Sequence, residues 1–379
     1  LAEAHVKAGS ADALLARLQG NDTAISHYMQ GLVLFARAAD ATSPAIAQFQ
    51  RAVELEPNAG ELHHRLGVAL LESEKYEQAK APLMRAVQLE PNEVSWQLPV
   101  AKVLYRSGDS KAAIEALKQV VAGNPSPADV KTARALMDQI ADPFAGFPQA
   151  ARGTLETGIQ WLQVADMPQQ AIISFEEILR DYPDLAVVHA LLGLAYQRID
   201  DAGRAVDELK RAIELAPDDG KAHLYLGELY LSHQRTKQGR EELEKALALN
   251  PLLDDVYFRL GDLALDRQDR VTALQMFRTL AALAPDSVPA HGKLALVYQL
   301  EGDWPAADRE LHKVVDKDEE NTEFVLRLGV LHTERFTKAK TADERKQASA
   351  EASKWLAKVL EKQPENTIAS RALEKVNAR

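Results

Sequence analysis

Cysteine is absent from all 379 residues, which excludes disulfides, thiol nucleophiles and cysteine–zinc sites. The absence does not fix the compartment. No apolar run approaches the length of about 18 residues that crosses a bilayer, so no direct membrane span is expected. A basic excess is also missing: 45 Lys and Arg stand against 56 Asp and Glu, a formal charge of −11. Nucleic acid is therefore not an expected partner, because phosphate binding needs concentrated positive charge. There is no Gly-x4-Gly-Lys phosphate loop, no Gly-x-Ser-x-Gly elbow and no His-Glu-x-x-His. With 46% hydrophobic and 27% charged residues, the chain has the composition of a folded protein. It is long enough for two or three ordinary domains or for one elongated array. It begins at Leu1 rather than Met, as a processed or trimmed form would, with any signal peptide or lipid anchor already removed. The triplet Asn21-Asp22-Thr23 matches a glycosylation acceptor, a match common by chance.

What is present is a period. The stretch HALLGLAY at 189–196 is answered by HLYLGELY at 223–230, an offset of 34. Prolines mark the same interval at Pro57, Pro91 and Pro125, and again at Pro183, Pro217, Pro251 and Pro285. Before each proline lies one apolar pattern. In 186–219 it is His189, Leu192, Gly193, Tyr196, then Ala205, Leu209, Ala212 and Pro217. In 254–287 it is Tyr257, Leu260, Gly261, Ala264, then Ala273, Phe277, Leu280 and Pro285. Spacings of three and four place each half on one helical stripe, with turn residues such as Asp200-Asp201 between the halves. The closing proline disfavours helix in the residue before it. Each unit is a helical hairpin that buries its stripe only by stacking on its neighbours. Gly193, Gly227 and Gly261 recur in mid-helix, where glycine costs about 1 kcal/mol relative to alanine. The expected return is close approach of a small partner residue, Ala212 or Ala246.

These residues resemble the tetratricopeptide repeat (TPR) family, whose pattern is Trp-x2-Leu-Gly-x2-Tyr, then Ala-x3-Phe, a small residue and Pro. His63, His189, His223 and His291 stand where the family often has Trp, and Glu319 where the period predicts the next proline. The resemblance implies an all-α fold, an α-solenoid of stacked helical hairpins forming a TPR superhelix, with about nine repeats and an irregular connector after the third.

Counting along the chain sets the expected organisation. Residues 1–23 form a partial repeat or cap, and 24–127 three units, the first with a two-residue excess near Asp40–Ser43. Residues 128–151 form a connector, helical in its first half. Six units occupy 152–366, the last carrying an insertion near 337–351, expected as a solvated loop because Asp343 and Glu344 dilute its lysines and arginines. Residues 367–379 form a capping helix.

Nothing supports catalysis, a metal or a cofactor. His63 and His64 are adjacent and point about 100° apart on a helix, a poor arrangement for sharing a metal. The histidines that recur in register read as packing choices, and acidic pairs such as Glu176-Glu177 as exposed helix faces.

The resemblance also implies a concave wall lined by positions 2, 5, 9 and 12 of each first helix. Those positions fall on Val187, Ala190, Leu194 and Gln197; Lys221, Leu224, Glu228 and Leu231; Asp255, Phe258, Asp262 and Leu265; and Pro289, Gly292, Leu296 and Gln299. The expected groove residues are Leu194, Gln197, Lys221, Leu224, Glu228, Leu231, Asp255, Phe258, Asp262, Leu265, Leu296 and Gln299. They read as an apolar strip edged by acid, suited to a protein or peptide partner with apolar anchors and basic flanks. The position-9 residues include no Asn, and acid there opposes a C-terminal carboxylate, which disfavours the clamp that some relatives use on chaperone tails. The leading expectation is a non-catalytic scaffold or adaptor assembling a multiprotein complex, with bacterial envelope, secretion, pilus or exopolysaccharide export roles included. The alternative is a targeting or regulatory arm of an enzyme, in a longer parent chain or bound in trans. A periplasmic or outer-membrane lipoprotein setting and a cytoplasmic one both stay open, as does the oligomeric state.

Overall fold

Helices form wherever the sequence repeats its apolar stripe, and they stop at residues that turn the backbone. The computed structural model describes residues 9–37 and 42–378. Among these residues all regular structure is helical: twenty-one α-helices and two short 3-10 turns. Helix α1 (Ala11–Leu18) precedes three hairpins, α2 (Ala24–Arg37) with α3 (Thr42–Leu55), α4 (Gly60–Glu72) with α5 (Tyr76–Leu89), and α6 (Gln97–Arg106) with α7 (Ser110–Ala122). Helix α8 (Pro127–Ile140) and an irregular stretch follow. Then come α9 (Arg152–Gln163) with α10 (Pro168–Asp181), α11 (Ala186–Arg198) with α12 (Ala202–Leu215), and α13 (Gly220–Ser232) with α14 (Thr236–Leu249). The rest are α15 (Asp254–Asp266) with α16 (Arg270–Leu283), α17 (Val288–Glu301) with α18 (Trp304–Val315), α19 (Thr322–Lys338) with α20 (Ala342–Lys362), and α21 (Thr367–Asn377). The expected excess near Asp40–Ser43 and residues 1–8 of the N-terminal partial repeat lie outside the residues that are fully described.

The turn inside seven of the hairpins is built the same way. Glu74, Asp166, Asp200, Gln234 and Gln268 hold positive φ between 49° and 61°, and Gly108 and Gly302 take the same register position. A left-handed residue there ends the first helix. The next residue starts the second helix. Where it is Asp109, Asp201, Asp269 or Asp303, its carboxylate accepts a backbone N–H three residues on.

The glycine notch works differently from the sequence expectation. A Cβ on Gly193 would lie 2.7 Å from Leu209 Cγ, one on Gly227 3.0 Å from Leu243, and one on Gly261 2.6 Å from Phe277 Cζ. The glycine accommodates a large side chain of the second helix, and Ala212 and Ala246 are not its partners. The notch seats a large core side chain of the second helix, and Leu209, Leu243 and Phe277 are fully buried.

The last hairpin also corrects an expectation. Its eleven extra residues are not a solvated loop. They lengthen α19 to 17 residues and α20 to 21. Thr341 and Glu344 close the turn as a capping box. The basic residues find aromatic faces: Lys338 Nζ lies 4.8 Å from the Trp304 ring centre, and Arg345 6.0 Å from that of Phe336.

The chain divides into two compact units, residues 1–253 and 254–379. In the first, a continuous core runs from Phe147 through Phe175, Leu192 and Leu209 to Tyr230. In the second, Leu311, Phe324, Leu328 and Leu356 form the centre, and α21 adds Ala369 and Val376.

Candidate peptide-binding surfaces

The expected groove residues fall in both units, and each unit presents its share differently. In the first, Leu224 is only 4% exposed, so it packs and offers almost no contact surface. Leu231 is half-buried against Gly239 across its own hairpin. Leu194 is half-buried against the core cluster, Gln197 and Glu228 are half-buried, and Lys221 is exposed in the first turn of α13.

In the second unit the residues meet. Phe258 packs edge-on to Phe277, with ring centres 6.2 Å apart. Lys293 reaches across from α17, its Nζ 2.6 Å from Asp262 and 5.4 Å from the Phe258 ring centre. That cation already neutralises Asp262, so the acid left at this edge is Asp255 and Asp266, both exposed. Leu296 and Leu300 are 39% and 44% exposed, and with Lys293 they share one stripe of α17. Gln299 Nε2 donates to Glu334 Oε2 of α19 at 2.8 Å, a second polar brace between successive first helices. Leu265 is half-buried.

The recurring histidines are structural braces. His189 Nδ1 lies 2.6 Å from Glu208, His223 Nδ1 2.7 Å from Glu242, and His291 Nδ1 2.7 Å from Glu310. Each carboxylate sits nineteen residues on, in the second helix. The other ring nitrogen of His189 and of His291 lies 2.9 and 3.0 Å from the carbonyls of Pro183 and Pro285, which close the preceding repeats. Burial pushes the Glu242 and Glu310 carboxyls up, but hydrogen bonds from Lys245 and His223, and from His291 and Lys313, outweigh it and hold both below the ordinary carboxylate range. His64 is a separate case. It stacks on Trp96, ring centres 4.6 Å apart, and burial lowers its pKa to about 4.

A larger concavity lies entirely within the first unit and was not anticipated as a site. It encloses about 810 Å³ between α7, the end of α8, the connector 141–147, and the inter-repeat turns at 184–187, 216–219 and 248–249. Ile114, Met137, Ile140, Phe147, Leu185, Val187 and Leu249 give it apolar walls. Glu115, Asp142, Asp184, Asp218 and Asp219 ring it, with Lys111 and Lys118. Two bonds anchor α8 beside it: Tyr105 Oη donates to the Gln139 carbonyl at 2.9 Å, and Arg134 Nη1 to the Leu252 carbonyl at 3.2 Å. The second spans 118 positions, which is why period-counting could not see the cleft. The sequence signal was the pair of phenylalanines, Phe144 and Phe147, in a connector too short and irregular to bury both.

Three family models, each described as a tetratricopeptide repeat, match residues 60–93, 200–261 and 255–287. Those stretches coincide with hairpins whose turns, glycine notches and closing prolines share one register. The chain is a tetratricopeptide repeat protein. No curated protein matches it in sequence. Solved structures similar to this TPR protein include YrrB, described as a TPR protein with an unusual peptide-binding site, at 19% identity over 52% of this chain and 96% of that one, TM-score 0.45. Another is PilW, described as a widely conserved type IV pilus biogenesis factor, at 18% identity over 60% and 99%, TM-score 0.47. A third is a tetratricopeptide repeat protein from Parabacteroides merdae, at 14% identity over 61% and 100%, TM-score 0.41. The TPR fold is one suited to protein–protein interaction. Among the described residues of this TPR protein, no helix is long and apolar enough to cross a membrane.

Proposed function

We propose that this TPR protein is a non-catalytic adaptor that holds an apolar-anchored segment of a partner protein on the first-helix face of its second unit. One observation carries the reading: α17 presents Leu296 and Leu300 to solvent on the stripe that carries Lys293, whose Nζ reaches Asp262 and the half-buried Phe258 of α15, while Gln299–Glu334 braces α17 to α19. Polar braces fix the backbone spacing, so the apolar stripe is ready before a partner arrives. Exposed leucines aligned on one helix stripe suit a helical or extended segment that brings its own apolar side chains. Asp255 and Asp266 favour Lys or Arg beside those anchors.

The test is affinity capture from lysate of the source organism with wild type beside Leu296→Glu/Leu300→Glu. Both leucines are already partly exposed, so helicity and melting temperature should stay close to wild type. The expected result is a protein retained by wild type and lost from the double variant. Equal retention by both would remove α17 from the binding surface.

A further inference from the structure

We propose that the cleft in the first unit, between α7, the connector 141–147 and the inter-repeat turns, is a second peptide site that takes a short segment carrying an apolar side chain next to Lys or Arg. It uses a different surface from the α17 stripe, so either assignment can fail without the other. A volume of about 810 Å³ is in the range of ligand sites, roughly 300–1,000 Å³. Its walls are apolar and its rim is charged, the usual division between binding energy and orientation. The anchors of α8, Tyr105 to Gln139 and Arg134 to Leu252, hold the cleft open without a ligand.

Charge chooses the occupant. Five carboxylates face two lysines at the rim. Lys118 is spent on Glu115 at 3.0 Å, and Asp184 is matched by Arg211 at 2.7 Å. Asp142 and Asp219 accept backbone N–H groups of Phe144 and Lys221, contacts that leave their negative charge in place. Asp218 has no hydrogen-bond or ion-pair partner among the described residues. A cationic segment gains from all of these, and an acidic one is repelled by them.

The experiment selects random displayed nonapeptides on the full chain and measures the enriched clones as synthetic peptides. Affinity is read by fluorescence anisotropy against wild type, Ile114→Glu, Asp218→Lys and Leu296→Glu/Leu300→Glu. The expected outcome is a set of clones pairing an apolar residue with Lys or Arg. Their binding weakens about tenfold or more in Ile114→Glu and several-fold in Asp218→Lys, and is unchanged in the α17 variant. Asp218 is exposed in a turn, so its variant reports on charge even if Ile114→Glu perturbs α7. Enriched clones that are acidic, clones indifferent to both cleft variants, or no enriched clone at all would each overturn the assignment. Clones lost only in the α17 variant would also overturn it, while supporting the adaptor surface.

Discussion

Gln234 and Gln268 pay a backbone cost that Gly108 and Gly302 avoid at the same register position. A side chain in the left-handed region costs about 1 kcal/mol or more relative to glycine. Gln234→Gly and Gln268→Gly should therefore each raise the melting temperature, by an amount corresponding to about 1 kcal/mol. Arg235 offers a parallel case. It starts α14 without a side-chain cap, where Asp201 and Asp269 cap the equivalent helices. Arg235→Asp should stabilise by about 1 kcal/mol, read as a shift of the denaturant midpoint. The glycine notches separate by how hard their occupant is. Gly261→Ala drives a methyl to 2.6 Å of the rigid, fully buried Phe277 ring and should cost about 2 kcal/mol. Gly227→Ala meets Leu243 at 3.0 Å, and the helix preference for alanine, about 1 kcal/mol, offsets most of the strain. Equal loss in the two variants would show that the occupant's rigidity does not set the cost.

At the scale of the element, a hairpin is fastened by a His–Glu pair whose histidine also faces a carbonyl of the preceding repeat. The folded state holds the Glu310 carboxyl below its ordinary value of 4.5. A depressed folded pKa means stability that is present above the unfolded value and is lost as the pH falls through the folded one. Wild type should thus lose melting temperature on acidification below about pH 5 more steeply than Glu310→Gln, and the difference between them should shrink there. A constant difference across the acid range would mean that the carboxylate charge contributes nothing. The sequence announced that these histidines pack, because they recur in register. It could not announce the partner, since a carboxylate nineteen positions away on an amphipathic helix looks like any solvated residue. The same blindness affected the glycines: their period was legible, but whether a small or a large side chain fills the notch depends on helix crossing. In the last hairpin the excess length was legible. Its helical state depended on a capping box and on aromatic faces that seat Lys338 and Arg345.

Across the molecule, hairpin count, order and closing prolines were readable because every repeat contacts chiefly its neighbours in sequence. The cleft of the first unit was not, because its walls are brought together over more than a hundred positions. Leu224 shows the same limit at a single residue: its repeat position predicts exposure, while the surroundings bury it. A stack of nearest-neighbour repeats should lose structure from its ends, since a terminal repeat lacks one interface. Within the first unit, α11, α12 and α13 lie inside the continuous core cluster, whereas α1 joins only the small cluster around Ala11 and Val33. Native-state hydrogen exchange should show amide protection highest in α11–α13 and falling stepwise towards α1. Substituting a notch residue, Leu209→Ala, should lower protection most in α11–α13 and progressively less with distance. A uniform drop throughout the unit would mean that it opens as one cooperative block, with α8 and its two anchors coupling the hairpins on either side more strongly than neighbour contacts do.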